Sequence, residues 1–474
     1  MLARLSSLFP PMKRIPPPAH MRTIPCTPLD LWHLNTVFNI GLIIDTPLDT
    51  KKLKRSLWTL VERKFPRAGA RLVQRNGMYE FQIPYTFDVS TPPVAFTMEE
   101  YSEPYGCSGR PKLPIHLPDS FDASKPSVHP LPALGEYFAS KECPTSLDGF
   151  LVPNTPAVHV HVATFQDITF IGFTTSHVIL DGLGARTLLH AWTRLLSGEP
   201  IDTIQGMEWD AQPFNVFMRS TATVAPIRSG MFDLGIFSRL RFNLDRMRDP
   251  KLATHLVRVP RSFLDDSKRD INASLQFRGS GEWVGSSDVL LAWWFKTAYG
   301  YRRIDDETPI HIHLPVDLRE IPIFPGPLTD PYIHNAVSLI SLPPIPANAF
   351  RTDSLAELAL RTRRAITEFN ADADGIAADL RWAFANPQRR FFPCPPGGEF
   401  LMQSSWRKAR FGELDFSGAG EVKADVLFVM LLYPSGAETT GTILMEDKDA
   451  MWMTQPGGET HWENIRRSGT VAFV

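Results

Sequence analysis

Residues 167–184 read DITFIGFTTSHVILDGLG. From Asp167 to Ser176 the run is nearly continuous in apolar residues, the pattern of a strand buried on both faces. It ends at His177. Directly afterwards Leu188, Leu189, Trp192, Leu195 and Leu196 recur at helical spacing. The hexapeptide His177-Val-Ile-Leu-Asp181-Gly182 therefore stands where a buried strand gives way to a helix, a place that holds a side chain rigidly. Upstream, AVHVHVATF alternates cleanly and sets Val158, Val160 and Val162 on one face of a second strand.

Strands and helices continue to alternate outward from this unit. Residues 49–64 place Leu53, Leu57, Leu60 and Val61 at helical spacing behind Asp49 or Thr50 as a cap. FPRAGARLV then turns into a strand, with MYEFQIP as its partner. Residues 99–150, rich in Pro, Ser, Gly and charge, read as a long irregular segment over the first domain. In the second half a strand near HLVRVP precedes a helix at SSDVLLAWWFKTAYG, then strands at PIHIHLPVDLR and NAVSLISL. Ser354 and Glu357 form a capping box before a helix carrying Leu355, Leu358, Ala359, Ile366 and Phe369. Late strands cover 423–434 and 440–446. The fold class is mixed α/β. Its 474 residues exceed what one core supports. We divide them into an N-terminal domain over 1–200, a crossover over 201–254 and a C-terminal domain over 255–474.

Apolar residues make up 43% of the chain and charged residues 21%, enough to bury a core. The 49 basic and 51 acidic residues nearly cancel, and no Lys/Arg block stands out. That balance argues against nucleic acid or an acidic membrane as partner. Cys26, Cys107, Cys143 and Cys394 are scattered and form no C-x-x-C pair, which fits free thiols in a reducing compartment. The first twenty residues carry five prolines and read as an extended arm, too broken for a secretory signal. No apolar run approaches the roughly 18 residues of a membrane span. The expected location is the cytoplasm.

His177 is the residue with chemistry to offer. A neutral alcohol attacks a carbonyl poorly until a base removes its proton, and imidazole titrates near neutrality. Asp181, four residues on, has two readings: it orients the ring as in a triad, or it turns away to pair with an arginine. Gly182 permits a tight turn there. The chain has 13 histidines, and a strand-capping role for His177 stays open on spacing alone.

SHVILDGLG resembles the H-x-x-x-D-G signature of the BAHD acyltransferases, which use acyl-CoA donors. The resemblance continues in order along nearly the whole chain. Thr27-Pro28-Leu29-Asp30 resembles the family's early segment, and Phe65-Pro66-Arg67-Ala68-Gly69 its FYPLAGR stretch. SSDVLLAWWF resembles the helix opening its second domain. Val316-Asp317-Leu318-Arg319 is similar to VDxR, and Tyr332-Ile333-His334-Asn335-Ala336 to YxGNA. Ser404-Ser405-Trp406 and Asp415–Gly420 resemble SSW and DFGWG. Two departures stand out. DFSGAG is one residue longer than DFGWG and lacks its tryptophan, and His334 replaces a glycine. These looser motifs are more similar to fungal secondary-metabolite members, such as trichothecene acetyltransferases, than to plant ones.

The resemblance implies two pseudo-equivalent domains of the chloramphenicol-acetyltransferase-like fold around a channel, with donor and acceptor entering from opposite ends. It implies His177 as base, Asp181 paired with Arg319 in a structural role, and an Asp415 block that shapes the site. Asn335, Ser404, Ser405 and Trp406 are the candidate oxyanion or substrate contacts, and Asp30 and Trp32 the candidate channel-lining residues. No bound cofactor or metal is expected. The partners are acyl-CoA as co-substrate and a small-molecule acceptor, with a monomer as the default state. An acyl-carrier-protein donor, or a non-acylating cyclase or binding protein using the same channel, are the alternatives. A peptide-synthetase condensation domain fits less well, because Ser176 stands where a second histidine is usual. His159-x-His161 and His311-x-His313 read as sheet positions, not metal pairs. Trp293-Trp294-Phe295 reads as core, and Arg361, Arg363 and Arg364 as a solvated helix face within possible reach of a CoA phosphate.

Overall fold

The computed structural model describes residues 20–474 except 108, 116–121, 219–231, 234–251, 325, 327, 329–330, 388–390, 393, 396–397 and 435–439. The proline-rich arm and most of the 201–254 crossover thus lie outside the described residues. Two large sheets carry the molecule. In the first, five strands lie in the order Val426–Leu432, Val37–Ile44, Thr169–Ser176, Val158–Thr164, Ala95–Glu100. All eight residues of Thr169–Ser176 are buried, as their apolar run requires. The second sheet has nine strands. Toward one side of it Pro309–Asp317 and Glu399–Ser405 run parallel, with His313 opposite Met402, so both strands end at the same edge. Helices cover the outer faces, and the architecture is mixed α/β.

The two sheets are not each built from one half of the chain. Val426–Leu432 pairs antiparallel with Val37–Ile44 in the first sheet. Ser127–Pro130, inside the stretch read as irregular, pairs antiparallel with Leu252–Pro260 in the second. The reading of 99–150 as a segment over the first domain holds for much of it, since Tyr105, Tyr137 and Phe138 pack on Phe170 of the first sheet and the Phe138 carbonyl accepts from Asn39. It is corrected at Ser127–Pro130, where Val128, 1% exposed, joins the other core. The arginine run is a solvated face at Arg361 and Arg364, 46% and 55% exposed, and is corrected at one position. Arg363 turns inward, donating from Nε to the buried carboxylate of Asp288 at 2.8 Å and stacking over Trp283. Arg364 pairs with Glu282 and Arg361 with Asp353. Trp293, Trp294 and Phe295 are buried core. His161 Nδ1 hydrogen-bonds Thr97, and His313 Nδ1 hydrogen-bonds Ser341. Among the described residues no helix is long and apolar enough to cross a membrane.

Candidate active site

The backbone holds His177 before the side chain does anything. Its N–H donates to the Thr36 carbonyl at 2.8 Å, extending by one rung the ladder between Val37–Ile44 and Thr169–Ser176. The ring is then fixed by Asn335, whose Oδ1 lies 3.1 Å from His177 Nδ1. The Asn335 amide nitrogen donates to the His177 carbonyl (2.8 Å) and to Asp30 Oδ1 (3.2 Å). Those acceptors orient the carboxamide with its oxygen toward the imidazole, so Nδ1 must carry the proton. Nε2 is left with a free lone pair. Burial pushes the imidazole pKa below its ordinary value, against the opposing pull of the Asp181 charge and the Asn335 hydrogen bond. The imidazole is therefore neutral at neutral pH.

Asp181 faces away from that lone pair. It caps the helix Gly182–Leu196, Oδ1 accepting from the Gly184 N–H at 2.7 Å. Oδ2 accepts from the Ala336 N–H at 2.9 Å, and Arg319 Nη2 lies 3.0 Å from both oxygens. Arg319 also donates to Asp317 Oδ1 and to the Tyr332 and His334 carbonyls. Of the two readings of Asp181, the geometry is that of a brace between the halves of the chain. Desolvation lowers the Arg319 pKa, but the paired charges of Asp181 and Asp317 outweigh it and the net shift is upward.

Two glycines make this brace possible by close approach. A Cβ on Gly182 would stand 2.7 Å from the Trp406 indole nitrogen, and one on Gly184 would stand 1.7 Å from the Ile333 carbonyl oxygen. Gly182 is therefore needed for contact with Trp406, which corrects the reading of it as a turn residue. Backbone cannot yield as a flexible side chain does. Gly184→Ala is expected to lose about 1–3 kcal/mol of stability or more, read as a lower thermal midpoint. An unchanged midpoint would contradict this packing.

His177 opens into a cavity of about 1030 Å³ including its mouth, shared with His33, Phe38, Ser404, Ser405, Trp406 and Thr442. Ser404, Ser405 and Trp406 are thus brought to the same cavity as His177. Asn335 and Asp30 are corrected. Both are buried behind the imidazole, Asn335 with its carboxamide engaged on Nδ1 and Asp30 with its carboxylate held by Thr27 and Asn335. Neither they nor Trp32 line the cavity. The 415–420 block does not line it either. Asp415 accepts from the Ser417 N–H at 2.9 Å and turns a loop whose Gly418 packs on the Leu196 carbonyl, at the far end of the helix that Asp181 caps. Its effect on the site runs through that helix.

Sequence reasoning missed His33. Its ring stacks on His177 with centroids 4.1 Å apart and planes 30° apart. The available signal was its position three residues after Asp30, in a segment already singled out. A second cavity, about 1770 Å³ including its open mouth, shares Leu183, Pro315, Val316, Asp317, Ser405 and Trp406 with the first and adds Arg261, Arg407, Lys408, Arg410 and Lys448. Among the described residues no group of three or more His, Cys, Asp or Glu is arranged to hold a metal.

The cavity thus joins a neutral imidazole with a free Nε2 to an aspartate–arginine brace, and comparison with known proteins shows the family. The model of the Transferase family matches residues 151–449, and the chain belongs to that family, the BAHD acyltransferases. Acetyltransferase AdrJ of Penicillium roqueforti is 29% identical over 431 residues, covering 85% of this chain and 84% of its own. O-acyltransferase PboC of Aspergillus ustus is 25% identical over 459 residues, covering 90% and 93%. In fold, the chain is similar to F. graminearum TRI101 complexed with ethyl coenzyme A, with TM-score 0.68 and 12% identity over 94% of this chain and 97% of that one.

Proposed function

We propose that the chain transfers an acyl group from acyl-coenzyme A to a hydroxyl of a small natural product, with His177 as general base. The observation that carries this reading is the imidazole held as its Nδ1–H tautomer by Asn335, with Nε2 unpartnered at the cavity. His177 Nε2 takes the acceptor proton as the oxygen bonds to the thioester carbonyl carbon. The carbonyl electron pair becomes an oxyanion. When it collapses, the C–S bond breaks and the thiolate receives the proton back from the imidazolium, giving free coenzyme A and the ester. No covalent acyl-enzyme is formed.

The oxyanion needs donors, each worth about 3–4 kcal/mol where measured in other enzymes. With Asn335 engaged elsewhere, Trp406 Nε1 and the Ser404 and Ser405 hydroxyls remain, on residues that line the cavity. The basic groove beyond Trp406 suits the coenzyme phosphates. Lys408 rests in an exposed ion pair with Glu320, which exchanges partners at little cost, and Arg407 is held more firmly by Glu446 and Ser287. Relatives called acetyltransferase and O-acyltransferase, and fold neighbours crystallised with coenzyme A and with deoxynivalenol, support the donor and acceptor classes. Four free cysteines support a reducing, cytoplasmic setting.

The test is release of free thiol from a panel of acyl-CoAs with a pool of hydroxylated natural products. Release that requires the acceptor is expected. No release from any donor by the folded protein would overturn the reading.

A further inference from the structure

Every polar group that grips His177 is already engaged by protein. Asn335, Asp30, Asp181, Arg319 and Asp317 hydrogen-bond one another or backbone. His33 differs. It lines the cavity and stacks on the base, yet neither ring nitrogen has a hydrogen-bond partner among the described residues. Packing alone does not call for an imidazole here. Phe38 already meets the His177 ring edge-on at 5.4 Å, and a second phenyl ring would fill the space without two polar nitrogens to desolvate.

The turn that carries His33 is also rigid at the right points. Asp30 Oδ2 accepts from the Thr27 N–H and hydroxyl, both at 2.8 Å, and the His33 carbonyl accepts from the Thr36 N–H at 3.0 Å. Thr36 in turn accepts from the His177 N–H. Base and neighbour are thus tied to one short stretch of backbone and keep their spacing. Burial, and then the neighbouring imidazole, push the His33 pKa well down, so its ring is neutral and offers one donor and one acceptor.

We infer that His33 is a specificity-determining residue that hydrogen-bonds a second oxygen of the acceptor, on the carbon next to the hydroxyl that His177 deprotonates. The reacting oxygen must come within about 3 Å of His177 Nε2. A ring stacked at 4.1 Å holds its nitrogens a few ångströms from that point, the span reached by an oxygen one carbon–carbon bond away. The acceptor class is a vicinally oxygenated alcohol: a 1,2-diol, or an alcohol beside an ether or carbonyl. This rests on the acyl-transfer reading above.

The experiment compares His33→Phe and His33→Gln with the wild type, using acetyl-CoA and pairs of alcohols with and without the second oxygen. The pairs run from cyclohexanol and cyclohexane-1,2-diol to borneol and bornane-2,3-diol. The readout is the ratio of kcat/KM for diol over mono-alcohol, from thiol release. His33→Phe, which keeps a ring against His177, is expected to lower that ratio roughly tenfold, and His33→Gln, which keeps a donor and an acceptor, to recover most of it. A ratio unchanged in His33→Phe, or lowered as far in His33→Gln, would overturn the role of His33 and leave the acyl-transfer reading standing. No release by the wild type with any alcohol would overturn both.

Discussion

Replacing His177 with alanine is expected to leave a folded protein in which acceptor-dependent release of coenzyme A is slower by roughly 100- to 10,000-fold. The side chain is part-buried and its removal leaves one orphan, Asn335 Oδ1, while the backbone bond to Thr36 and the strand register stay in place. The thermal midpoint should therefore move little and kcat a great deal. The pH profile adds a second readout. A base works in its neutral form, and burial lowers the His177 pKa below its ordinary value of 6.5. The acid limb of kcat/KM is expected below that value, with activity full above the limb and lost as pH falls through it. A limb near 7 or higher would mean that the titrating base is another group. An alanine variant with full activity would remove His177 from the chemistry altogether.

How far this site could be read from the sequence depends on which interactions are local. The strand ending at His177 announces itself through Phe170, Ile171 and Phe173, and the capping box at Ser354 and Glu357 forms as its spacing requires, with the Ser354 hydroxyl accepting from the Glu357 N–H. The helix Arg261–Phe277 went unread. It is polar, and only Leu264, Ile271 and Leu275 are buried, too sparse a stripe to stand out. The strand exchange through Ser127–Pro130 was invisible for another reason: four residues joining a distant sheet leave no periodicity. Within the site, Asp181 and Arg319 were named from motifs. The role of Asn335 was misassigned because spacing does not tell a donor facing the cavity from one turned behind the ring. His33 lies 144 residues from His177 in the chain (177 − 33), and nothing local marks the stack.

Breaking the brace is expected to be the most damaging change to the fold near the site, and to reach catalysis at one remove. The Asp181 and Arg319 side chains are 2% and 14% exposed, so the pair is largely shielded from water. Arg319→Met strands the Asp181 carboxylate with only the Gly184 and Ala336 N–H groups for company. Losing one partner of a buried pair costs about 3–5 kcal/mol, because the remaining charge stays desolvated. Asp181→Asn is expected to cost less: the amide oxygen can still cap the helix, and Arg319 keeps Asp317 and two carbonyls. Combining the two should cost less than their sum, with a coupling of about 1–3 kcal/mol by a double-mutant cycle in urea. Activity should fall alongside stability. Arg319 pins the Tyr332 and His334 carbonyls and Asp181 pins the Ala336 N–H, so together they fix the segment in which Asn335 sits. When that segment loosens, His177 loses the acceptor that selects its tautomer, and kcat is expected to drop while KM for acyl-CoA changes little. Additive stability losses would mean that the two residues act separately. A variant with lowered stability but wild-type kcat would cut the link from brace to base, and Asn335 would then have to hold the imidazole without help from Asp181 and Arg319.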